Sequence, residues 1–124
     1  MKKILITGGS GFIGTNFIKF LDIKNKFKIF NIDKLSSIST PEKFKNLKNT
    51  QNYKFIKLNL LNSSKLNNVI KKINPDILIH MAAESHVDRS IDNPEKFFIE
   101  NLNSTLNILQ ILRKQPKKIK FIYF

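Results

Sequence analysis

An α/β fold, a parallel sheet wound on both faces by helices, follows from three observations. Short apolar runs alternate along the chain with segments whose apolar residues recur at helical spacing. A glycine turn, Gly8-Gly9-Ser10-Gly11-Phe12-Ile13-Gly14, joins the first such strand to the first such helix. An acid, Asp33, ends the second strand 19 residues after Gly14. Strand, glycine turn, helix and a following acid near that distance form a dinucleotide-binding fingerprint. The expected architecture is therefore a Rossmann-type doubly wound sheet, and right-handed crossovers place its strands in the order 3-2-1-4-5.

Each element has its own signal. Lys3 to Thr7 is an apolar strand, and Phe12 to about Asp22 is a helix with Phe17, Ile18 and Leu21 at helical spacing. Phe27 to Ile32 is the second strand, closing on Asp33. Lys34 to Gln51 is irregular, with a short helix expected after Pro41, because proline suits a first helical turn. Tyr53 to Leu58 is the third strand. A helix from about Ser64, capped by Asn62 or Ser63, carries Leu66, Val69, Ile70 and Ile73 on one face and stops at Asn74-Pro75. Asp76 to His80 is the fourth strand, and Met81 to Asp92 is a loop. Asn93-Pro94-Glu95 supplies a cap, a proline and a first-turn acid for a helix running through Phe98, Leu102, Leu106 and Leu109 to about Lys114. The fifth strand begins near Lys118 and includes Ile119, Phe121, Ile122 and Tyr123. No repeat, linker or composition break divides residues 1–124, so one domain is expected. The chain stops in or at the end of an apolar strand; the sheet is expected to be incomplete at this C-terminal edge and the chain to be a piece of a larger protein.

Composition narrows the function classes. Cysteine is absent, which excludes a disulfide framework and thiolate metal sites. His80 and His86 have no third ligand at metal-site spacing. Neither a signal peptide nor an apolar run of about 20 residues is present, so a cytoplasmic protein is expected. The net charge of +13 raises nucleic-acid binding. That charge is nearly all scattered lysine; Arg89 and Arg113 are the only arginines, so no specific nucleic-acid site is expected.

The motif residues imply a ligand. Gly8 permits the tight turn, Gly11 lets backbone approach a pyrophosphate, and Gly14 lets the helix pack closely. Asp33 suits the hydroxyls of an adenosine ribose and repels a 2′-phosphate, favouring NAD over NADP, although neighbouring Lys34 offers a charge that a 2′-phosphate accepts. Asn59-Leu60 follows strand three, where an asparagine amide reaches a purine edge or merely closes a turn. Met81-Ala82-Ala83-Glu84-Ser85 lies at the reversal point of the sheet, where ligands bind. His86 and Asp88 are an acid–base pair or a structural loop feature; Arg89 binds a diphosphate or braces the loop. His80, ending a strand, reads as a packed core histidine.

TGGSGFIG (Thr7 to Gly14), NIDKL (Asn31 to Leu35) and above all HMAAESHVDRSI (His80 to Ile91) resemble the nucleotide-sugar branch of the extended short-chain dehydrogenase/reductases, the NAD-dependent epimerase/dehydratase family. The last string is most similar to that family's dTDP-glucose 4,6-dehydratases. The resemblance implies oxidation of the sugar at C4 with bound NAD, elimination of water across C5 and C6, and return of the hydride. It implies Phe12 and Ile13 at the pyrophosphate, and Asp33, Lys34, Leu35 and Ser36 around the ribose. Asn59 and Leu60 would flank the adenine. Met81, Ala82, Ala83, Glu84 and Ser85 would line the nicotinamide side, with Ser85 also at the sugar nucleotide. The implied partner is a nucleotide sugar, dTDP-glucose, and the complete protein is expected to be a homodimer. Asn59 stands where the family usually has Asp, Glu100 where it has Thr, and Leu58 and Ser104 where it has glycine. The family's Ser/Thr-Asp-Glu segment would follow Phe124 and its Tyr-x-x-x-Lys pair would come later. Neither Tyr53 nor Tyr123 precedes a lysine four residues on in a helix, so no catalytic residue is expected in these residues. A sugar-nucleotide epimerase or decarboxylase, or a non-catalytic dinucleotide-binding module, is the alternative.

Overall fold

The computed structural model describes residues 1–35, 41–83 and 91–124. Five strands, β1 (Lys2–Thr7), β2 (Phe27–Asp33), β3 (Tyr53–Lys57), β4 (Ile77–His80) and β5 (Lys120–Tyr123), form one sheet in the order β3-β2-β1-β4-β5. Every pairing is parallel, with Thr7 opposite Ile32 on one side and opposite His80 on the other. Among the described residues, helices α1 (Phe12–Lys24), α2 (Ser63–Ile73) and α3 (Pro94–Arg113) make crossovers between strands. The expected α/β class and strand order are those observed.

Alternation along β1 divides the core in two. Leu5 points to one face, where Ile32, Leu66, Ile70, Leu78 and Ile108 meet it. Ile4 and Ile6 point to the other, against Ile18 and Leu21 of α1 and Ile29 and Ile79 of the sheet. Apolar residues on both faces of a strand require helices on both sides, which is why the central strands read as continuous apolar runs.

Local chemistry sets the element ends. Asn62 and Asn93 cap α2 and α3, their side chains accepting from the N–H groups of Lys65 and Lys96. Asn25 and Asn74 end α1 and α2 in the left-handed region at φ 48° and 50°. The turn expected after Pro41 is a 3-10 turn, Pro41–Phe44. Phe44 stacks on Tyr53 at 4.9 Å between ring centroids. Buried Asp22 fastens the following segment by accepting from the N–H groups of Lys48 and Asn49 at 2.6 and 2.9 Å.

In α3 the apolar residues that mark the helix in the sequence are not the ones it buries. Phe98, Leu102, Leu106 and Leu109, the residues that mark it as apolar, are 45–68% exposed, whereas Ile108 and Ile111 enter the core. Periodicity marks an apolar stripe but does not say which of two stripes meets the sheet.

Candidate functional site

The carboxyl ends of β1 to β4 open into a cavity of about 470 Å³, at the place where the strand order reverses between β1 and β4. Its floor is the glycine turn. Gly8 has φ +72°, and a Cβ there would lie 2.5 Å from the Ala82 Cα. A Cβ on Gly14 would lie 2.5 Å from the Gly9 Cα, so the first turn of α1 rests directly on the glycine turn. Gly11 differs: its φ is −71°, and an added Cβ would meet only the Gly8 carbonyl oxygen at 3.5 Å. The fold therefore leaves room for a side chain at Gly11, on the cavity wall. α1 starts there with no side-chain cap and no acid in its first turn, and Phe12, Ile13 and Gly14 line the cavity. The unpaired N–H groups of such a helix start carry positive partial charge toward an anion.

Below the turn, buried Ser10 and Asn31 join it to β3. Asn31 donates to Ser10 Oγ at 3.1 Å and to the Tyr53 hydroxyl at 3.0 Å. Burial pushes the Tyr53 phenol up to about 12; the Asn31 hydrogen bond opposes this and the nearby Asp33 charge adds to it. Tyr53 therefore stays protonated and structural. Lys57 stands four residues beyond it, but both lie on β3, where four residues span about 13 Å.

Asp33 ties two segments together. Its Oδ2 accepts from Ser10 N–H at 3.1 Å and its Oδ1 from Leu35 N–H at 2.8 Å. An ionised carboxylate has about four acceptor positions, so capacity remains for a diol. Lys34 also lines the cavity and pairs with Glu100 of α3, Nζ to Oε2, at 3.5 Å. Leu35 takes φ 57° and lies outside the cavity lining. Ser36 lies outside the described residues.

The β3 wall carries Leu58, Asn59, Leu60 and Leu61. Asn59 Oδ1 accepts from Leu61 N–H at 3.0 Å, closing its own turn. Leu60 is held from α3, its carbonyl accepting from Asn107 at 3.0 Å. The β4 wall carries Met81, Ala82 and Ala83. Glu84, Ser85, His86, Asp88 and Arg89 lie outside the described residues.

His80 joins three elements behind this wall. Thr105 gives its one hydroxyl proton to the Asn101 carbonyl at 3.0 Å, so its oxygen accepts from His80 Nε2–H at 2.9 Å. Nδ1 then accepts from the Thr7 hydroxyl at 2.6 Å, and Thr7 Oγ1 accepts from Ala82 N–H at 3.3 Å. With only 1% of its surface exposed, His80 is held neutral by burial, its pKa lowered to about 4. It is the packed histidine that its strand-end position implied.

The structure thus gathers Gly8, Gly11, Phe12, Ile13 and Gly14 with Asp33, Lys34, Asn59, Leu60 and Met81 to Ala83 around one cavity. Sequence reasoning missed Ile32, Leu61 and Phe124 as lining residues, and α3 contributes Glu100, Asn101 and Ser104. A signal for α3 existed: Glu100 and Ser104 depart from the pattern of the resembling family. Asp33, Lys34 and Glu100 are the titratable side chains among the described lining residues, and no cluster able to hold a metal is found among the described residues. Such a cavity can hold an elongated anion bearing a diol.

Residues 5–124 match the GDP-mannose 4,6 dehydratase family. The chain is 37% identical to the dTDP-glucose 4,6-dehydratase of Escherichia coli over 112 residues, covering 90% of this chain and 31% of that one. It is 40% identical to the dTDP-D-glucose 4,6-dehydratase of Dictyostelium discoideum over 124 residues, covering 99% of this chain and 28% of that one. Among solved structures it resembles the Bacillus anthracis dTDP-glucose 4,6-dehydratase in complex with NAD, with TM-score 0.82 and 32% identity over 99% of this chain and 37% of that one. It also resembles the Campylobacter jejuni UDP-Glc/GlcNAc 4-epimerase, with TM-score 0.87 and 28% identity over 99% of this chain and 36% of that one. The chain thus spans about a third of the length of the curated relatives it matches.

Proposed function

The chain belongs to the GDP-mannose 4,6 dehydratase family, and we propose that residues 1–124 are the NAD-binding part of a nucleotide-sugar 4,6-dehydratase acting on dTDP-glucose. One observation carries this reading: an uncapped helix start, an unobstructed glycine and a ribose-suited carboxylate, Gly11 and Asp33 among them, face one cavity at the sheet's switch point. The residues fit the dinucleotide. Phe12 and Ile13 hold the pyrophosphate by backbone N–H groups at the start of α1, while Gly8, Gly11 and Gly14 shape the turn beneath it; the Gly8 and Gly11 N–H groups are taken by the carbonyls of Ile32 and Gly8. Asp33, with Lys34, Leu35 and Ser36, binds the adenosine ribose; Asn59 and Leu60 flank the adenine. Met81 to Ser85 seat the nicotinamide, and Ser85 also contacts the sugar nucleotide. When bound, NAD supplies the hydride acceptor for oxidation at C4, giving dTDP-4-keto-6-deoxyglucose after water loss and hydride return. The chain itself binds and orients; we place the catalytic acids and bases outside residues 1–124, so this segment alone binds NAD without turnover. We also read the protein as cytoplasmic and homodimeric.

The test is calorimetric titration of the chain with NAD, alongside thermal melting. Saturating NAD raises the melting temperature by mass action, about 2.7 kcal/mol at a hundredfold excess over Kd. Asp33→Ala weakens NAD and narrows the NAD/NADP preference. A folded chain that neither binds nor is stabilised by millimolar NAD overturns the cofactor reading. The likeness to the Campylobacter epimerase favours a second reading, a sugar-nucleotide 4-epimerase. Offering the protein dTDP-glucose and UDP-glucose separates the two: a 4-keto-6-deoxy product marks the dehydratase, and a C4 epimer marks the alternative.

A further inference from the structure

Asp33 and Lys34 are adjacent and oppose each other in cofactor choice. A 2′-phosphate on the adenosine ribose carries roughly −1.5 to −2 charge, which Asp33 repels and Lys34 attracts. Two features of the structure bear on which prevails. First, Lys34 lies between two hollows: it lines the main cavity and a second hollow of about 500 Å³ whose walls include Lys57 and Lys65. A phosphate beside Asp33 would lie next to Lys34, the lysine that borders both hollows. Second, Glu100 reaches from α3 across the cavity mouth to the Lys34 ammonium, Nζ to Oε2 at 3.5 Å. The pair is only partly exposed, with side-chain accessibilities of 42% and 21%. Glu100 lines the main cavity and not the second hollow, so the contact engages Lys34 from the main-cavity side.

The geometry points to Glu100 as a cofactor-specificity residue. By engaging Lys34 it withholds that lysine from a 2′-phosphate and leaves the repulsion from Asp33 to decide for NAD against NADP. This rests on the NAD reading above. The mechanism requires Lys34: Glu100 acts through its partner. Its carboxylate also repels any anion in the cavity, and the more highly charged NADP more than NAD; that direct effect persists without Lys34, whereas the effect through Lys34 does not. The extra phosphate is what separates the two cofactors.

The experiment measures Kd for NAD and NADP by titration calorimetry at low salt, on the chain and on Glu100→Gln, Lys34→Met and the double variant. Releasing a partly exposed pair is expected to shift the NADP-to-NAD affinity ratio by about three- to fivefold toward NADP in Glu100→Gln. The shift shrinks as salt rises and is markedly smaller in the Lys34→Met background, as coupling through a shared contact demands. An unchanged ratio in Glu100→Gln, with NAD still bound, overturns the assignment. An equal shift with and without Lys34 also overturns it, because Glu100 would then act by its field alone. A chain that binds NAD tightly and shows the coupled shift supports both this inference and the reading beneath it. A folded chain that binds neither nucleotide overturns the cofactor reading and this inference with it.

Discussion

The three fingerprint glycines serve different ends, and the difference can be measured. Gly14 has no space: a Cβ would sit 2.5 Å from the Gly9 Cα and 2.6 Å from the Gly8 carbonyl oxygen. Gly14→Ala therefore strains the turn whether or not a ligand is present, at a cost of about 1–3 kcal/mol, read as a drop of several degrees in melting temperature. Gly11 has space, with its nearest obstruction 3.5 Å away. Gly11→Val is expected to leave the melting temperature within a few degrees while abolishing NAD binding, because the side chain takes the volume assigned to the pyrophosphate. Melting curves and NAD titrations on the two variants check both. If Gly11→Val binds NAD as the parent does, the pyrophosphate assignment fails. The fingerprint gives the three glycines different tasks from sequence alone; the room left at each was not legible, because it depends on what the returning β4 segment and α1 place beside each one.

At the scale of elements, α3 holds the site together, and His80 is its joint with the sheet. Thr105 fixes His80 from α3, Thr7 fixes it from β1, and Asn107 holds the Leu60 carbonyl beside the cavity. The neutral imidazole sets a pH dependence. The unfolded chain binds a proton at His80 below about 6.5, and the folded chain does so only below about 4. Stability is therefore full above pH 6.5 and falls as the pH is lowered toward 4, by about 3 kcal/mol over the whole window. Asp76, held low by its Lys117 hydrogen bond and the Lys3 N–H, contributes stability that is lost only below the ordinary carboxylate range. Urea midpoints at pH 7, 5.5 and 4.5 are expected to fall in sequence for the parent and to flatten for His80→Gln. A parent whose stability is constant over this range contradicts a neutral, buried His80. The helix caps give a second check: Asn93→Ala removes the bond to Lys96 N–H and is expected to cost about 1 kcal/mol. The Asn93 cap was legible in the sequence, and Asn62 was one of two candidates for α2, because capping is local chemistry. The partners of His80 were not, because Thr7 and Thr105 lie 73 and 25 residues away from it.

For the molecule as a whole, alternation of apolar runs with helical segments was enough to place five parallel strands, since handedness and switch-point rules leave few arrangements. The walls supplied by strand ends followed from that order. The α3 wall did not, because an apolar period at Phe98, Leu102, Leu106 and Leu109 masks the polar face that carries Glu100, Asn101 and Ser104 to the cavity. That same apolar period now has a consequence for assembly. Four large apolar side chains exposed along one helix exceed what scattered surface residues explain, and they supply a face for the proposed homodimer. A net charge of +13 on each chain opposes bringing two together. Raising salt shortens the Debye length from about 30 Å at 0.01 M to about 8 Å at 0.15 M while leaving apolar contact intact. Self-association through α3 is therefore expected to strengthen with salt, the reverse of any lysine-driven nucleic-acid binding, which weakens. Sedimentation equilibrium across that range measures it. Leu102→Lys with Leu106→Lys is expected to hold the chain monomeric at every salt concentration with its melting temperature nearly unchanged, because neither side chain is in the core. A dimer that survives the double substitution, or one that dissociates as salt rises, places the contact elsewhere.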